Sequence, residues 1–463
     1  MLLCGRVCYT DMISEHFYTR NKGIQLMRIG LVELLLILTI ASLAVGPQVA
    51  LFVDRWMRRA NRASAKAARR RAEQEAQRAI EREAVLQRFQ KLSIIFALAA
   101  AAALVWSLVL RPIDTPPQAY TAPDLRQDTG AAQTALSGDS RDVLDLGGYD
   151  GVDCIRTRDG LVYAAAHSGT TLKKRTSDLV RTDGGHTAAI LSVDGELTGF
   201  AFDADGGLWL TVVTSDGGTL CRASSDNWGT SVEQVVTQLD GAPLGMLSAV
   251  EVGPDGMVYF AVAAQAGAEN GLNSALRTEL IAHTGTGSIY VYDPASRTVE
   301  CVLSGIAGAS GLALDASSGT LYVSDLGSRC VWAVDASARD LTAGGKGCTA
   351  PFSGLPGYPG ALALDEDGTL YISYRWARSD WLESHSGTTL LRGVALRLSQ
   401  TMQENLFSLP AGSTCAEAVD PASGQWLRTF SGKSSSACTA VGIEGNRVYF
   451  GASEEKELYF VKI

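Results

Sequence analysis

The chain is poor in the residue types that most active sites use. It has five histidines, His16, His167, His186, His283 and His385, and no two are spaced as metal ligands on one element. None stands beside a serine motif of the nucleophile-elbow kind, so surface or loop roles are expected for them. The seven cysteines beyond residue 112, Cys154, Cys221, Cys301, Cys330, Cys348, Cys415 and Cys438, never form the paired CxxC spacing of a zinc site. The glycine-rich stretch Gly305-Ile306-Ala307-Gly308 lacks a lysine and a following helix, which excludes a phosphate-binding loop. Basic charge is missing where the chain is largest. Residues 113–463 sum to −18, against +9 for residues 1–112. A region so acidic cannot displace the counterions of a nucleic acid, so no nucleic-acid partner is expected.

Two long apolar runs are present. Ile29 to Val53 is interrupted by Glu33 and a few small or polar residues, and Leu92 to Leu110 only by Ser93 and Ser107. Each is near the roughly 20 residues that cross a hydrocarbon core; the alternative for either is a buried core helix. Arg88, Lys91 and Arg111 bracket the second run, as expected of a span. Between the runs, Asp54 to Lys91 holds 12 Lys or Arg against 5 acids. Cytoplasmic loops are enriched in Lys and Arg, which places this segment inside and the acidic C-terminal region outside. A signal peptide fits the first run poorly, because about 28 residues precede it and a second span follows. Met27 is an alternative start, and Cys4 and Cys8 would then be absent. Val49, Phe52, Val53, Trp56, Met57 and Ala60 fall on one helical face, opposite most of Arg55, Arg58, Arg59 and Arg62. Such a helix lies on an anionic membrane surface or pairs with another chain. Residues 111–140, with Pro112, Pro116, Pro117 and Pro123 followed by Gly, Ser, Thr and Gln, read as an extended and then flexible stalk.

Six short segments repeat one pattern, a turn of small or acidic residues and then a strand opening on an aromatic. The aromatics are Tyr163, Trp209, Tyr259, Tyr322, Tyr371 and Tyr449. Asp-Gly between apolar runs is a strong hairpin signal. The aromatics lie 46, 50, 63, 49 and 78 residues apart. Propeller blades recur roughly every 40–50 residues, so the expectation is an all-β six-bladed propeller over 141–463, with insertions in the long gaps. The last blade supplies three strands before the chain ends. Arg141–Leu146 alternates polar and apolar and suits the missing fourth, which would close the ring and remove its edges. Outside the cytoplasm disulfides are permitted, and Cys330 and Cys348, expected on neighbouring strands of one blade, are the candidate pair. The alternative is that the cysteines act as small buried hydrophobes.

Residues 240–400 resemble the strictosidine-synthase-like group of six-bladed propellers, related to gluconolactonases and paraoxonases. The stretches that carry this are Leu247–Phe260, Gly285–Pro294, Ser310–Asp315 and Leu355–Gly360. The resemblance implies a channel calcium ion held by acidic and Asn side chains at the starts of inner strands. At those positions this chain has Ser248, Ser310 and Gly360, and near the group's catalytic Glu it has Cys438-Thr439-Ala440. Asp150 and Asp153 lie near the first-blade ligand position. Calcium takes about 6–8 oxygens, so a degenerate metal site with neither metal nor cofactor is expected. Ile29–Ile37 and Val45–Gln48 resemble the twin-arginine translocase small subunits, with Glu33 near the outer end of the helix; the alternative is that Glu33 merely snorkels to the interface. Candidate channel residues are Asp150, Asp153, Ser248, Ser310 and Tyr358, with Arg375 and Trp376 from a fifth-blade insertion. Trp and Arg are enriched in binding hot spots, and Trp376 could equally pack the loop onto its own blade. Three functions follow. The first is a membrane-anchored module binding a small molecule or protein at the propeller face. The second is a lactonase, esterase or synthase-like enzyme using Asp150 or Asp153. The third is a part in protein transport.

Overall fold

The structure is a computed structural model. It describes residues 65–463 apart from residues 128, 137–141, 170–171, 184–185, 226–227, 229–230, 266–270, 407–413, 433–437 and 454–455. The chain divides after Arg111 into two units.

Among the described residues of the first unit a helix, Ala65–Val105, ends in a wider turn, Trp106–Leu110. Its N-terminal half is rich in Ala, Arg, Glu and Gln, all strong helix formers. Among the described residues one segment, Ile80–Leu110, is long and apolar enough to cross a membrane by length and composition. The expected first span at 29–53, with Glu33, and the amphipathic stretch at 49–60 lie outside the described residues. One candidate span is therefore described, not two.

The second unit is a six-bladed β-propeller. Blade one runs from Gly151 to Asp194, blade two from Glu196 to Val236 and blade three from Met246 to Ile306. Blade four spans Ala309 to Phe352, blade five Gly357 to Gly432 and blade six Ala440 to Lys462. Each of the six repeat aromatics sits near the start of the second strand of its blade. The turn before it has backbone that suits its residues: Asp159 and Gly160 take φ of 55° and 76°, the left-handed pair of a tight hairpin turn. The aromatics fill the gaps between blades. Tyr163 packs edge-on against Phe202 of blade two at 4.9 Å, and Trp209 against Tyr292 of blade three at 5.7 Å. The core is accordingly a set of inter-blade layers, such as Tyr259 and Ile289 against Leu312, Leu321 and Val323.

Blade six is completed by Asp142–Asp145, which pairs antiparallel with its outermost strand, Val143 opposite Tyr459 and Leu144 opposite Leu458. The expected ring closure is present. Just upstream, Ala132–Leu136 adds a parallel fifth strand to the edge of blade five.

The stalk expectation is overturned for residues 117–136. Gln118 N–H donates to the Ala282 carbonyl at 2.8 Å, Tyr120 N–H to Ser386 at 3.2 Å, and Arg126 N–H to Gly354 at 2.9 Å. Fully buried Arg392 donates to the carbonyls of Gln118 (2.5 Å), Ile281 (2.7 Å) and Ser386 (2.9 Å). Fully buried Arg329 donates to Pro123. The prolines lack N–H donors, but the segment's carbonyls remain, and Arg329 and Arg392 take up those of Pro123 and Gln118. The segment is a belt fastened to the propeller.

The two long gaps between repeats are insertions at the same place, between the second and third strands of their blades. Blade three carries helix Leu272–Ala282, and blade five carries helices Asp380–Ser384, Thr389–Leu396 and Gln400–Leu406. Both insertions emerge at the end of the propeller where the inner strands begin. They meet there as a cap in which Leu280 and Ile281 pack with Leu382 and Ala395.

The Cys330–Cys348 pairing also fails. Cys348 stands opposite Val334, at the far end of the strand that Cys330 opens. Four residues of strand are about 13 Å, beyond the roughly 7 Å limit for bridged Cα atoms. Both thiols are free and buried.

Candidate functional site

Five of the six inner strands slip register near their start, leaving out one residue in blades one to three and two in blades four and five. The register slips between Val152 and Cys154, Leu197 and Gly199, Leu247 and Ala249, Ala309 and Leu312, and Pro359 and Leu362. A bulge leaves one residue out of the ladder and re-aims its side chain. The residues so placed include Asp153, Thr198, Ser248, Ser310 and Gly360, with Thr439 preceding the sixth inner strand. All are buried. Together they form one ring, a residue per blade, near the starts of the inner strands.

Most of this ring joins blade to blade. Ser248 Oγ donates to the Ala309 carbonyl of blade four at 2.7 Å. Ser310 Oγ donates to Pro359 of blade five at 2.6 Å, and Thr439 Oγ1 to Val152 of blade one at 2.9 Å. Ser324 Oγ adds a bond to the Gly360 carbonyl at 2.7 Å. Thr198 instead bonds within its blade, to Thr211. The small residues beside these hydroxyls let the blades approach. A Cβ on Gly311 would lie 2.4 Å from the Gly360 carbonyl oxygen.

Asp153 is the ring's acid. Its Oδ2 lies 2.6 Å from His167 Nδ1, and its Oδ1 accepts from Ser453 Oγ at 2.7 Å. Burial works against charge on both partners, but their mutual attraction and hydrogen bond outweigh it. Asp153 is held below the usual carboxylate range and His167 above the usual imidazole value. Beside them Arg175 Nη1 pairs with Glu196 Oε1 at 3.0 Å. Glu196 Oε2 accepts the N–H of Leu272 at 3.0 Å, where helix Leu272–Ala282 begins. Burial, then the Asp153 charge, push Glu196 upward against the pull of Arg175. Asp150 sits at the exposed rim, accepts from Gly169 N–H at 3.0 Å and lies 3.7 Å from Lys456 Nζ.

The candidates from sequence separate into two sets. Asp153, Ser248 and Ser310 come together in the ring, and Asp150 is at its edge. Tyr358 lies on the inner strand Gly357–Leu364 of blade five, and Arg375 and Trp376 lie at the end of its second strand, Leu370–Ala377, not in the insertion where they were expected; Tyr358 and Trp376 pack beneath the cap. Tyr358 is fully buried and donates to Glu383 Oε1 at 3.0 Å. Trp376 lies under Arg277, whose guanidinium is 5.7 Å from its ring. Arg375 is buried and donates to Asn273 on the blade-three helix. It also flanks the fifth ring position, because a Cβ on Gly360 would lie 3.4 Å from Arg375 Cβ.

Sequence reasoning missed His167, Arg175, Glu196, Asn273 and Ser453, and it expected His167 in a surface or loop role. The repeat held a signal for two of them. His167, Arg375 and Ser453 each stand four residues after their blade's aromatic, the first two on the strand face shared by alternate residues and Ser453 in the turn just beyond its strand.

Hard cations need about 6–8 oxygens, several of them charged. In the ring the one acid is paired with His167, three hydroxyls donate to neighbouring blades, and the fifth position is a glycine with no side chain to offer. Among the described residues no group of three or more His, Cys, Asp or Glu is placed to hold a metal ion.

Residues 230–380 match the family described as SMP-30/Gluconolactonase/LRE-like region. The match runs from the last strand of blade two into blade five. No curated protein matches the chain. Among solved structures it is similar to a gluconolactonase from Xanthomonas campestris, at 15% identity over 76% of this chain and 99% of that chain, TM-score 0.48. It is also similar to the calcium-binding protein regucalcin from Agrobacterium tumefaciens, at 14% identity over 72% and 96%, TM-score 0.47. A luciferin-regenerating enzyme aligns at 18% identity over 70% and 95%, TM-score 0.46.

Proposed function

We propose that the protein is a membrane-anchored propeller that binds a small molecule or a protein partner at its capped face, with a metal position that no longer serves a metal. The observation that carries this reading is the ring itself. Positions where the resembled family implies metal ligands here carry hydroxyls bonded to neighbouring blades, one histidine-paired carboxylate, and a glycine beside an arginine. The Ile80–Leu110 segment supports anchoring, and the acidic propeller is read as extracytoplasmic. The test is a lactone and ester turnover screen of the full-length protein in detergent, with calcium added or chelated. The proposal requires no calcium-dependent turnover, and turnover that rises with calcium would sink it.

A second reading rests on the His167–Asp153 pair. With Nδ1 turned to the carboxylate, such a pair can take a proton at Nε2, which keeps metal-free hydrolysis in the channel as an alternative. Calcium-independent turnover abolished by His167→Gln would favour it. A part in protein transport rests on residues outside those described.

A further inference from the structure

We propose that the exposed face of the cap helix Thr389–Leu396 docks on the surface of a lipid bilayer. The inference builds on the membrane-anchored reading above. The first turn of the helix departs from one that faces water, while Ala395 and Leu396 further along pack into the cap. The helix buries Arg392, Gly393 and Ala395 inward, while Leu390 is 61% exposed and Leu391 42% exposed. Met402, on the following helix Gln400–Leu406, is 37% exposed. A surface helix ordinarily turns its apolar stripe to the core and its charges outward. Here the inward arginine is committed to three carbonyls, including Gln118 of the belt, so rotating the helix to hide the leucines would strand a buried guanidinium. Adjacent exposed leucines of this kind mark a surface for lipid or protein.

The length of chain selects lipid. The apolar segment ends at Leu110. By Pro117 the backbone already lies against the cap, since Pro117 Cγ is 3.8 Å from where a Cβ on Gly393 would sit. Seven peptide steps reach at most roughly 25 Å, whereas a domain of about 350 residues is roughly 50 Å across. If Ile80–Leu110 crosses a bilayer, the tether reaches the cap only when the cap faces that bilayer. Leu390 and Leu391 then enter the headgroup boundary as the apolar face of an interfacial helix does.

The experiment is photolabelling of the full-length protein in vesicles of phosphatidylcholine and phosphatidylglycerol that contain a phospholipid with a diazirine on its acyl chain. Labelled peptides are located by mass spectrometry. The proposal predicts label both in Ile80–Leu110 and in the peptide carrying Leu390 and Leu391. The L390S/L391S variant should lose the second label, keep the first and retain the wild-type melting temperature, because both side chains are exposed. Label confined to Ile80–Leu110 overturns the docking and leaves the anchor standing. A second copy covering the leucines would give that same labelling pattern with a doubled mass in gentle detergent, and it overturns the docking equally. No label in either segment overturns the anchor, and the docking with it.

Discussion

Replacing His167 by leucine should destabilise the propeller sharply, and the size of the loss follows from the surroundings of Asp153. The two side chains are 2% and 3% exposed and 2.6 Å apart. Removing one partner of a buried ion pair leaves an uncompensated charge and costs about 3–5 kcal/mol. The Ser453 hydrogen bond and the more distant Arg175 charge would remain to hold the carboxylate. For a domain of this size the loss corresponds to a melting-temperature drop of about 4–7 °C at pH 7. The pH dependence has a defined sign. Asp153 is lowered and His167 raised in the folded state. The aspartate contribution is present above its unfolded pKa and lost as pH falls through the folded one. The histidine contribution is complete below its unfolded pKa and lost as pH rises through the folded one. The pair is therefore strongest between about pH 4 and 6.5. In the variant, burial without a partner raises the Asp153 pKa, so the deficit should shrink on acidification as the carboxyl takes up a proton. Replacing both residues by leucine should restore stability to within about 1 kcal/mol of the wild type, since apolar pairs often substitute for buried ion pairs at little cost. The assay is thermal unfolding of the full chain in detergent across that pH range. A single-variant loss under about 1 kcal/mol, typical of an exposed pair, or a double variant as unstable as the single one, would refute the reasoning.

Other substitutions test neighbouring parts of the account by the same assay. Ser310→Ala should cost about 1–2 kcal/mol, because the Pro359 carbonyl loses its donor. Gly311→Ala should cost about 3 kcal/mol or more, since its Cβ would meet the Gly360 carbonyl oxygen at 2.4 Å and backbone must move. Deleting residues 141–148 removes the strand that closes blade six and should abolish cooperative melting. Arg392→Met should loosen the belt, which limited proteolysis would detect as new cleavage within residues 113–126.

Much of the fold was legible because the blade repeat is local. A turn of small or acidic residues followed by an aromatic marks each second strand, and each aromatic fills the gap to its neighbour or its own sheet, as Tyr163 does against Phe202. The closing strand was legible from its alternation and from the strand that blade six lacked. The belt was not, because proline-rich composition describes how a segment behaves alone, and the donors that capture its carbonyls, Arg329 and Arg392, are more than two hundred residues away. The disulfide expectation failed on register: two cysteines on adjacent strands meet only if they are opposite, and Cys348 is opposite Val334. At the site, the substituted ring positions could be read from the resemblance. Their bonds could not, since Ser453 and Asp153 are 300 residues apart in the chain. His167 was hidden for another reason. Its type and spacing gave no signal, and only its offset from Tyr163, shared with Arg375 and Ser453, places it beside the ring.

The measurement that tests the central claim most directly is the melting temperature of the full-length protein with excess calcium and with a chelator. An ion that binds only the folded state stabilises it by about 2.7 kcal/mol at a hundredfold excess over its dissociation constant. A ring whose hydroxyls join blades and whose carboxylate is held by His167 predicts the same melting temperature in both conditions. A clear calcium-dependent rise, lost in Asp153→Asn, would contradict it.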